Sequence, residues 1–195
     1  MPEAKKTSST NTYKYGFSHF YVAFQTDEGW EKPEHVPGAI NFTADPQGEQ
    51  NIVYWDNGPG MTQTKNNGYS GSLEDALLPD HILARMNGWY IDKNGKLVED
   101  ADGIGEKFAV LFQVEGDKQA RRVVWYNCQA ARPSATAQTT EASITPNTDT
   151  LDLTVTAYYF KDIDKNIVKS TCYKGDSEYD NFFEQVVLPA EEDGE

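Results

Sequence analysis

The chain has 195 residues, 38% apolar and 25% charged, with 31 acidic against 17 basic side chains and a net charge of −14. That length suits one domain with a real core or two small ones, and no run of about 18 apolar residues marks a membrane helix. The acidic balance argues against a chain that wraps or grips nucleic acid, which needs clustered Lys and Arg.

Eleven Tyr, nine Phe and four Trp, together with β-branched runs, favour a sheet-based fold. Residues 1–14 are polar, without an apolar signal core, and read as a solvated arm on a protein made and folded in a cytoplasm. The first strand is expected from Tyr15 to Phe24, with His19 inside it as a core or edge residue. Residues 25–36, with Gly29 and Pro33, read as a loop. Pro37-Gly38 signals a turn before a short strand over 39–44, in which Ile40, Phe42 and Ala44 share a face. Asp45-Pro46-Gln47-Gly48 reads as a tight turn and 51–55 as the return strand. Asn41-Phe42-Thr43 is a glycosylation sequon, without weight in a chain lacking a secretion signal.

Residues 56–67, with two Gly, one Pro and three Asn, break both periods and predict a long polar loop. Residues 68–77 fit a strand through Tyr69, Gly71 and Leu73, or a helix capped by Ser72; the strand is preferred. Pro79 and Asp80 open a helix over 79–87, and Gly88 ends it. Asp92-Lys93-Asn94-Gly95 between short apolar runs predicts a hairpin. Calcium-loop readings fail there and at 162–166, because the closing positions are Ala101 and Tyr173 rather than Glu.

The strongest signal spans 108–133. Phe108, Val110, Phe112 and Val114 alternate with Ala109, Leu111, Gln113 and Glu115, which predicts a strand with one buried face. A charged tip leads to a return strand over 123–130. Residues 133–150 read as an extended connection, and 151–159 as a strand with Leu151, Leu153, Val155 and Ala157 inward. Residues 161–181 are turn-rich, 181–189 is an apolar segment docked on the core, and 190–195 is an acidic tail. Cys128 reads as a small buried hydrophobe; free thiols are favoured over a Cys128–Cys172 disulfide.

His19, His35 and His81 fall in separate predicted elements, with no metal-binding spacing, nucleophile elbow or phosphate loop. No catalytic residues, metal or cofactor are therefore expected, and the chain reads as a non-enzyme. Lys118, Arg121, Arg122 and Arg132 form the one basic cluster, either a solvated tip or a contact patch for an acidic neighbour.

In order and spacing, many short segments resemble the major tail tube proteins of long-tailed, siphovirus-type bacteriophages of Gram-positive hosts. They include Tyr15-Gly16, Ile40-Asn41-Phe42, Pro46-Gln47-Gly48-Glu49, 67–74, Leu77-Leu78-Pro79-Asp80 and Asp92-Lys93-Asn94-Gly95. Further on come Phe108–Phe112, Glu115-Gly116-Asp117-Lys118, Arg121-Arg122-Val123, Tyr126-Asn127-Cys128, 131–134, 143–148, Phe182-Phe183 and Leu188-Pro189. Residues 161–181 and the acidic tail match less distinctively.

The resemblance implies a mainly β (α+β) fold: a tail-tube-type sandwich or barrel of two packed sheets, with one short flanking helix and long loops, spanning 15–189. It implies a structural virion protein, assembled in the host cytoplasm as stacked hexameric rings around a tape-measure protein. Tail terminator and distal tail (baseplate) proteins would be further partners, and genome DNA would pass through the lumen without specific binding. Asp56, Asn57, Gly58, Pro59, Gly60, Met61, Lys65 and Asn66 are then expected to reach the next ring. Asp152, Thr154 and Thr156, with Ser70, Ser72 and Glu74, are expected on a lumen or inter-subunit strand. An Ig-like or carbohydrate-binding sandwich, with a planar aromatic patch, is the rival from another class. A hydrolase with two close carboxyls of unequal pKa is a second.

Overall fold

The computed structural model describes residues 16–55, 58–134 and 148–191. Its strands are β1 (Phe17–Thr26), β2 (Gly29–Trp30), β3 (Glu34–His35), β4 (Ala39–Trp55), β5 (Gly58–Asp75), β6 (Tyr90–Ile91) and β7 (Leu97–Val98). Then follow β8 (Phe108–Val114), β9 (Arg122–Ala130), β10 (Asp149–Val155), β11 (Tyr158–Phe160), β12 (Lys165–Ile167) and β13 (Lys169–Cys172). One helix, α1 (Asp80–Asn87), lies between β5 and β6.

The main sheet runs β2-β1-β8-β9-β10-β5-β4, with β3 paired to β1 and β13 to β9. It is antiparallel and folds into a sandwich-like arrangement, not a closed barrel. The central hairpin is present, but both of its faces are buried. Phe108 and Val110 join one core cluster, while Ala109 and Leu111 join the other. β1 divides in the same way: Phe20, Val22 and Phe24 on one side, Tyr21 and Ala23 on the other. The expectation of a single buried face is therefore corrected. A strand covered on both sides reads as a continuous apolar run, and Phe-Ala-Val-Leu-Phe is one.

On the first face lie β10, β5, β4 and α1, contributing Leu151, Leu73, Phe42 and Ile82. On the second lies the C-terminal segment, contributing Phe160, Phe182, Val186 and Val187. The docking expected of 181–189 is thus observed. Tyr126 anchors this layer: its hydroxyl donates to Val187 O at 2.8 Å, and burial pushes its pKa up to about 12.

β9 changes neighbour halfway along. Arg122–Trp125 pair with β13, and Cys128–Ala130 pair with β10. The switch coincides with a register shift opposite Phe108 and Val110. A bulge reverses the alternation there, so Tyr126 enters one cluster and Cys128 the other. Both cysteines are buried free thiols.

The helix forms as expected, one residue later at its start. Pro79 is the N-cap in extended conformation rather than the first helical residue, and Gly88 closes the helix at φ 71°. The Asn94-Gly95 hairpin forms as β6 and β7. Residues 25–36 are not only loop, because β2 and β3 add to β1 there. The charged 161–181 stretch likewise holds β12 and β13. Strand β10 stops at Val155, and Ala157 is exposed rather than inward.

The largest correction concerns β4 and β5. The turn expected at 45–48 is absent, since one strand runs from Ala39 to Trp55. The long loop expected at 56–67 is mostly strand, β5 beginning at Gly58; Asp56 and Asn57 lie outside the described residues. Register shifts at Ala39/Asn41, Pro46/Gly48 and Val53/Tyr54 absorb the breakers. Proline is tolerated at bulges and on edge strands, and β4 pairs only with β5 among the described residues.

Candidate assembly surface

Strands β10, β5 and β4 present one outward face whose composition follows from their register. Asp152 lies opposite Ser72 and Thr154 opposite Ser70. Across the next ladder, Ser72 meets Thr43, Ser70 meets Asp45 and Glu74 meets Asn41. The sequence-predicted residues Asp152, Thr154, Ser70, Ser72 and Glu74 are therefore brought together. Thr156 is not, since it lies past the strand end and accepts from Asn127 Nδ2 at 2.7 Å.

Asn41, Thr43 and Asp45 belong to the same face and were missed. The alternation Asn41-Phe42-Thr43-Ala44-Asp45 carried the signal, but reading 45–48 as a turn cut it short. Ile40, expected to share a face with Phe42, is instead 53% exposed because of the bulge beside it. Short hydrogen bonds stitch the face. Thr43 Oγ1 accepts from Ser72 N at 2.9 Å and lies 3.0 Å from Ser72 Oγ. Thr148 Oγ1 donates to Glu74 at 2.8 Å. The face carries Asp45, Glu74 and Asp152 and no Lys or Arg at the positions paired above, so its potential is negative.

Beneath this face the ladder is tight. A side chain at Gly71 would collide with the backbone carbonyl of Thr43, which leaves glycine as the residue that fits. Asp75 ends β5 with its side chain fully buried. Its Oδ1 accepts from Leu77 N at 2.7 Å, and Oδ2 has no hydrogen-bond partner among the described residues. Burial raises its pKa, the Leu77 amide opposes that, and nearby Asp149 adds to it.

Beyond Gly48 and Asn66 no third strand pairs with β4 or β5 among the described residues. A two-stranded ribbon therefore extends past the sheet, reaching roughly 25 Å for the eight residues from Gly48 to Trp55 at strand rise. Gly58, Pro59, Gly60, Met61, Lys65 and Asn66 lie in it, as strand rather than loop. Lys65 and Asn66 are exposed, and Asn66 Oδ1 accepts from Gly68 N at 2.9 Å.

The four basic residues do not form one patch. Arg121 pairs with Asp117 at 2.9 Å, and Lys118 is engaged as well. Arg122 lies over the rings of Tyr179 and Phe183 and donates to Tyr179 O, fastening the C-terminal layer. Arg132, past the far end of β9, pairs with Glu99 at 3.4 Å. A contact patch built from all four is thus not assembled within one copy, because β9 separates Arg122 from Arg132 by roughly 30 Å.

Neither a protein-family model nor a curated protein matches the sequence. Among solved structures, the chain is similar to one in the cryo-EM structure of the anti-feeding prophage cap, described as a tube terminating cap. The TM-score is 0.49 at 10% identity, over 83% of this chain and 93% of that one. It is also similar to a chain of the anti-feeding prophage baseplate, with TM-score 0.43 at 12% identity, over 82% of this chain and 97% of that one.

Proposed function

We propose that this chain is a structural, non-enzymatic subunit of a phage-type tail, the major tube protein that assembles as stacked hexameric rings. One observation carries the reading: a long two-stranded ribbon leaves a sandwich whose last strand, β4, has an edge left open among the described residues. Open edges of this length recruit other strands and are normally blunted. A chain that uses its edge for self-assembly has no need to blunt it. In a ring, β4 would meet the sheet of a neighbouring copy, and the ribbon would span to the next ring.

The acidic face formed by Asp152, Glu74 and Asp45 would then line the lumen. A negative wall repels genome DNA and lets it slide, whereas a basic wall would hold it. The tape-measure, terminator and distal tail proteins remain the expected partners, and the virion tail the place of action. The order and spacing of the sequence segments that resemble siphophage tube proteins supply the remaining support.

Negative-stain microscopy of the purified protein across a concentration series tests this. Hollow filaments with regular striations are expected. Isolated particles at every concentration, and no corresponding density in any tail, would defeat it.

A further inference from the structure

A cavity of about 240 Å³ opens between the β1–β2 turn and β11, on the side of the second core cluster. Its walls are aromatic: Trp30 lies 4.7 Å from Tyr158 and 6.0 Å from Phe160 between ring centroids, and Tyr158 lies 4.9 Å from Phe160. Trp30 is held in place by its Nε1, which donates to Tyr126 O at 3.2 Å. The mouth carries Asp27, Glu28 and Asp162, against a single cation, Lys161. Ring faces are negative at their centres and attract a cation within about 6 Å. Carboxylates at the rim add a net negative field that would draw one in.

We propose that this pocket receives a lysine side chain from a second copy of the chain, supplied by the β6–β7 hairpin tip. Lys93 and Lys96 are both exposed there. The nearby carboxylate, Asp92, is already occupied by the backbone amides of Asn94 and Lys96, each at 2.8 Å. The tip follows α1, which packs on the first core cluster, whereas the pocket belongs to the second. The tip packs against α1 and the pocket is built from the β1–β2 turn and β11, so they are different surfaces of the chain, and in the assembly knob and hole would meet between copies. A contact joining two different surfaces repeats head to tail, closing as a ring or running as a filament. It also offsets the repulsion between copies that each carry −14. The proposal deepens the tube reading and rests on it for the identity of the partner.

Two measurements test it. On dilute monomer, 1H–15N NMR follows the Trp30 indole N–H while Nα-acetyl-lysine N-methylamide is added, with the norleucine analogue as its neutral counterpart. A saturable shift is expected with the lysine probe, weaker on the order of tenfold for norleucine and for the D27N/E28Q/D162N variant. Equal shifts, or none, overturn the pocket; a shift with maltotriose in place of the lysine probe assigns it to carbohydrate and also overturns it.

Sedimentation velocity then follows K93Q/K96Q and D27N/E28Q/D162N separately and mixed. Each alone should raise the concentration needed for assembly about tenfold, and the equimolar mixture should yield pairs through the one intact contact. Wild-type assembly by either variant overturns the contact while leaving the tube reading standing. If the wild-type chain never assembles, the tube reading and the second-copy partner fall together, and the NMR titration still decides whether the pocket takes a cation.

Discussion

Asn127 Nδ2 donates to Thr156 Oγ1 at 2.7 Å and to Ala157 O at 3.2 Å, tying the bulge in β9 to the end of β10. The backbone reinforces it, since Thr156 N donates to Asn127 O at 3.0 Å. Asn127 is buried, at 7% exposure, and it sits where β9 exchanges β13 for β10. N127A removes both hydrogen bonds together with a buried side chain and should lower stability by about 2 kcal/mol. T156V should cost less, because Thr156 is exposed. Urea denaturation of both singles and the double tests the pairing: coupling of about 1 kcal/mol is expected, and strictly additive losses contradict it.

Asp75 should make stability fall as pH rises. Its pKa is raised on folding, chiefly by burial, so the folded chain holds this proton more tightly than the unfolded one. The stabilisation is fully present below the ordinary value of 3.8 and is lost as pH climbs through the raised folded value. D75N removes the titration while keeping an oxygen for Leu77 N. The difference in stability between D75N and wild type should therefore grow in favour of D75N from about pH 4 toward neutrality. A difference that stays constant across that range counts against the assignment.

Glu31 should act with the opposite sign. Arg85 donates to it at 2.8 and 2.9 Å, and this hydrogen bonding lowers its pKa from 4.5. Its contribution is present above that ordinary value and is lost as pH falls through the lower folded one. The same guanidinium holds Glu106 and covers the ring of Phe24 at 3.9 Å, joining α1 to β1 and to the segment preceding β8 by ion pair and ring contact. R85K keeps the charge but loses the two-pronged geometry, and should cost about 1 kcal/mol in thermal unfolding at neutral pH. E31Q should abolish the acid-side loss assigned to this pair; an unchanged acid limb in E31Q would be inconsistent with it.

Elements with local signals were legible in the sequence. Pro79, Gly88 and the apolar positions between them defined α1, and Asn94-Gly95 defined the β6–β7 turn. The alternation of Leu151, Leu153 and Val155 gave the inner face of β10, and with it the outward Asp152 and Thr154. The ribbon was not legible, because its breakers are absorbed by bulges whose positions depend on pairing between distant residues. The second core layer was legible only in part: 181–189 was expected to dock on the core, but no local signal showed that Phe182 would meet Phe160 and Tyr126 there, since only tertiary contact gathers them. The aromatic pocket was hidden for the same reason, since Trp30 and Tyr158 are far apart in sequence.

Gly71 tests how tightly β5 is held against β4. The backbone carbonyl of Thr43 occupies the space a side chain would need, and backbone moves only with its whole strand. G71A should cost about 2–4 kcal/mol by forcing the ladder apart. At Gly95 the same change meets no atom and faces only the positive φ of 80°, so G95A should cost about 1 kcal/mol. Equal destabilisation in chemical denaturation would show that close approach is not what constrains Gly71.

The ribbon is expected to be the part of β4 and β5 that the sandwich can fold without. Pairing between β10 and β5 covers only Tyr69–Asp75, and among the described side chains of these strands the core residues Ala39, Phe42, Ala44, Tyr69 and Leu73 lie on the sandwich side of Gly48. Replacing 49–65 by an Asn-Gly turn preserves that ladder and supplies the backbone geometry a short hairpin needs. The shortened chain should therefore unfold within about 1 kcal/mol of wild type while failing to stack. Electron microscopy should show single rings or free subunits where the full chain gives filaments. Filaments of unchanged length and striation from the shortened chain would remove the ribbon from the contact between rings.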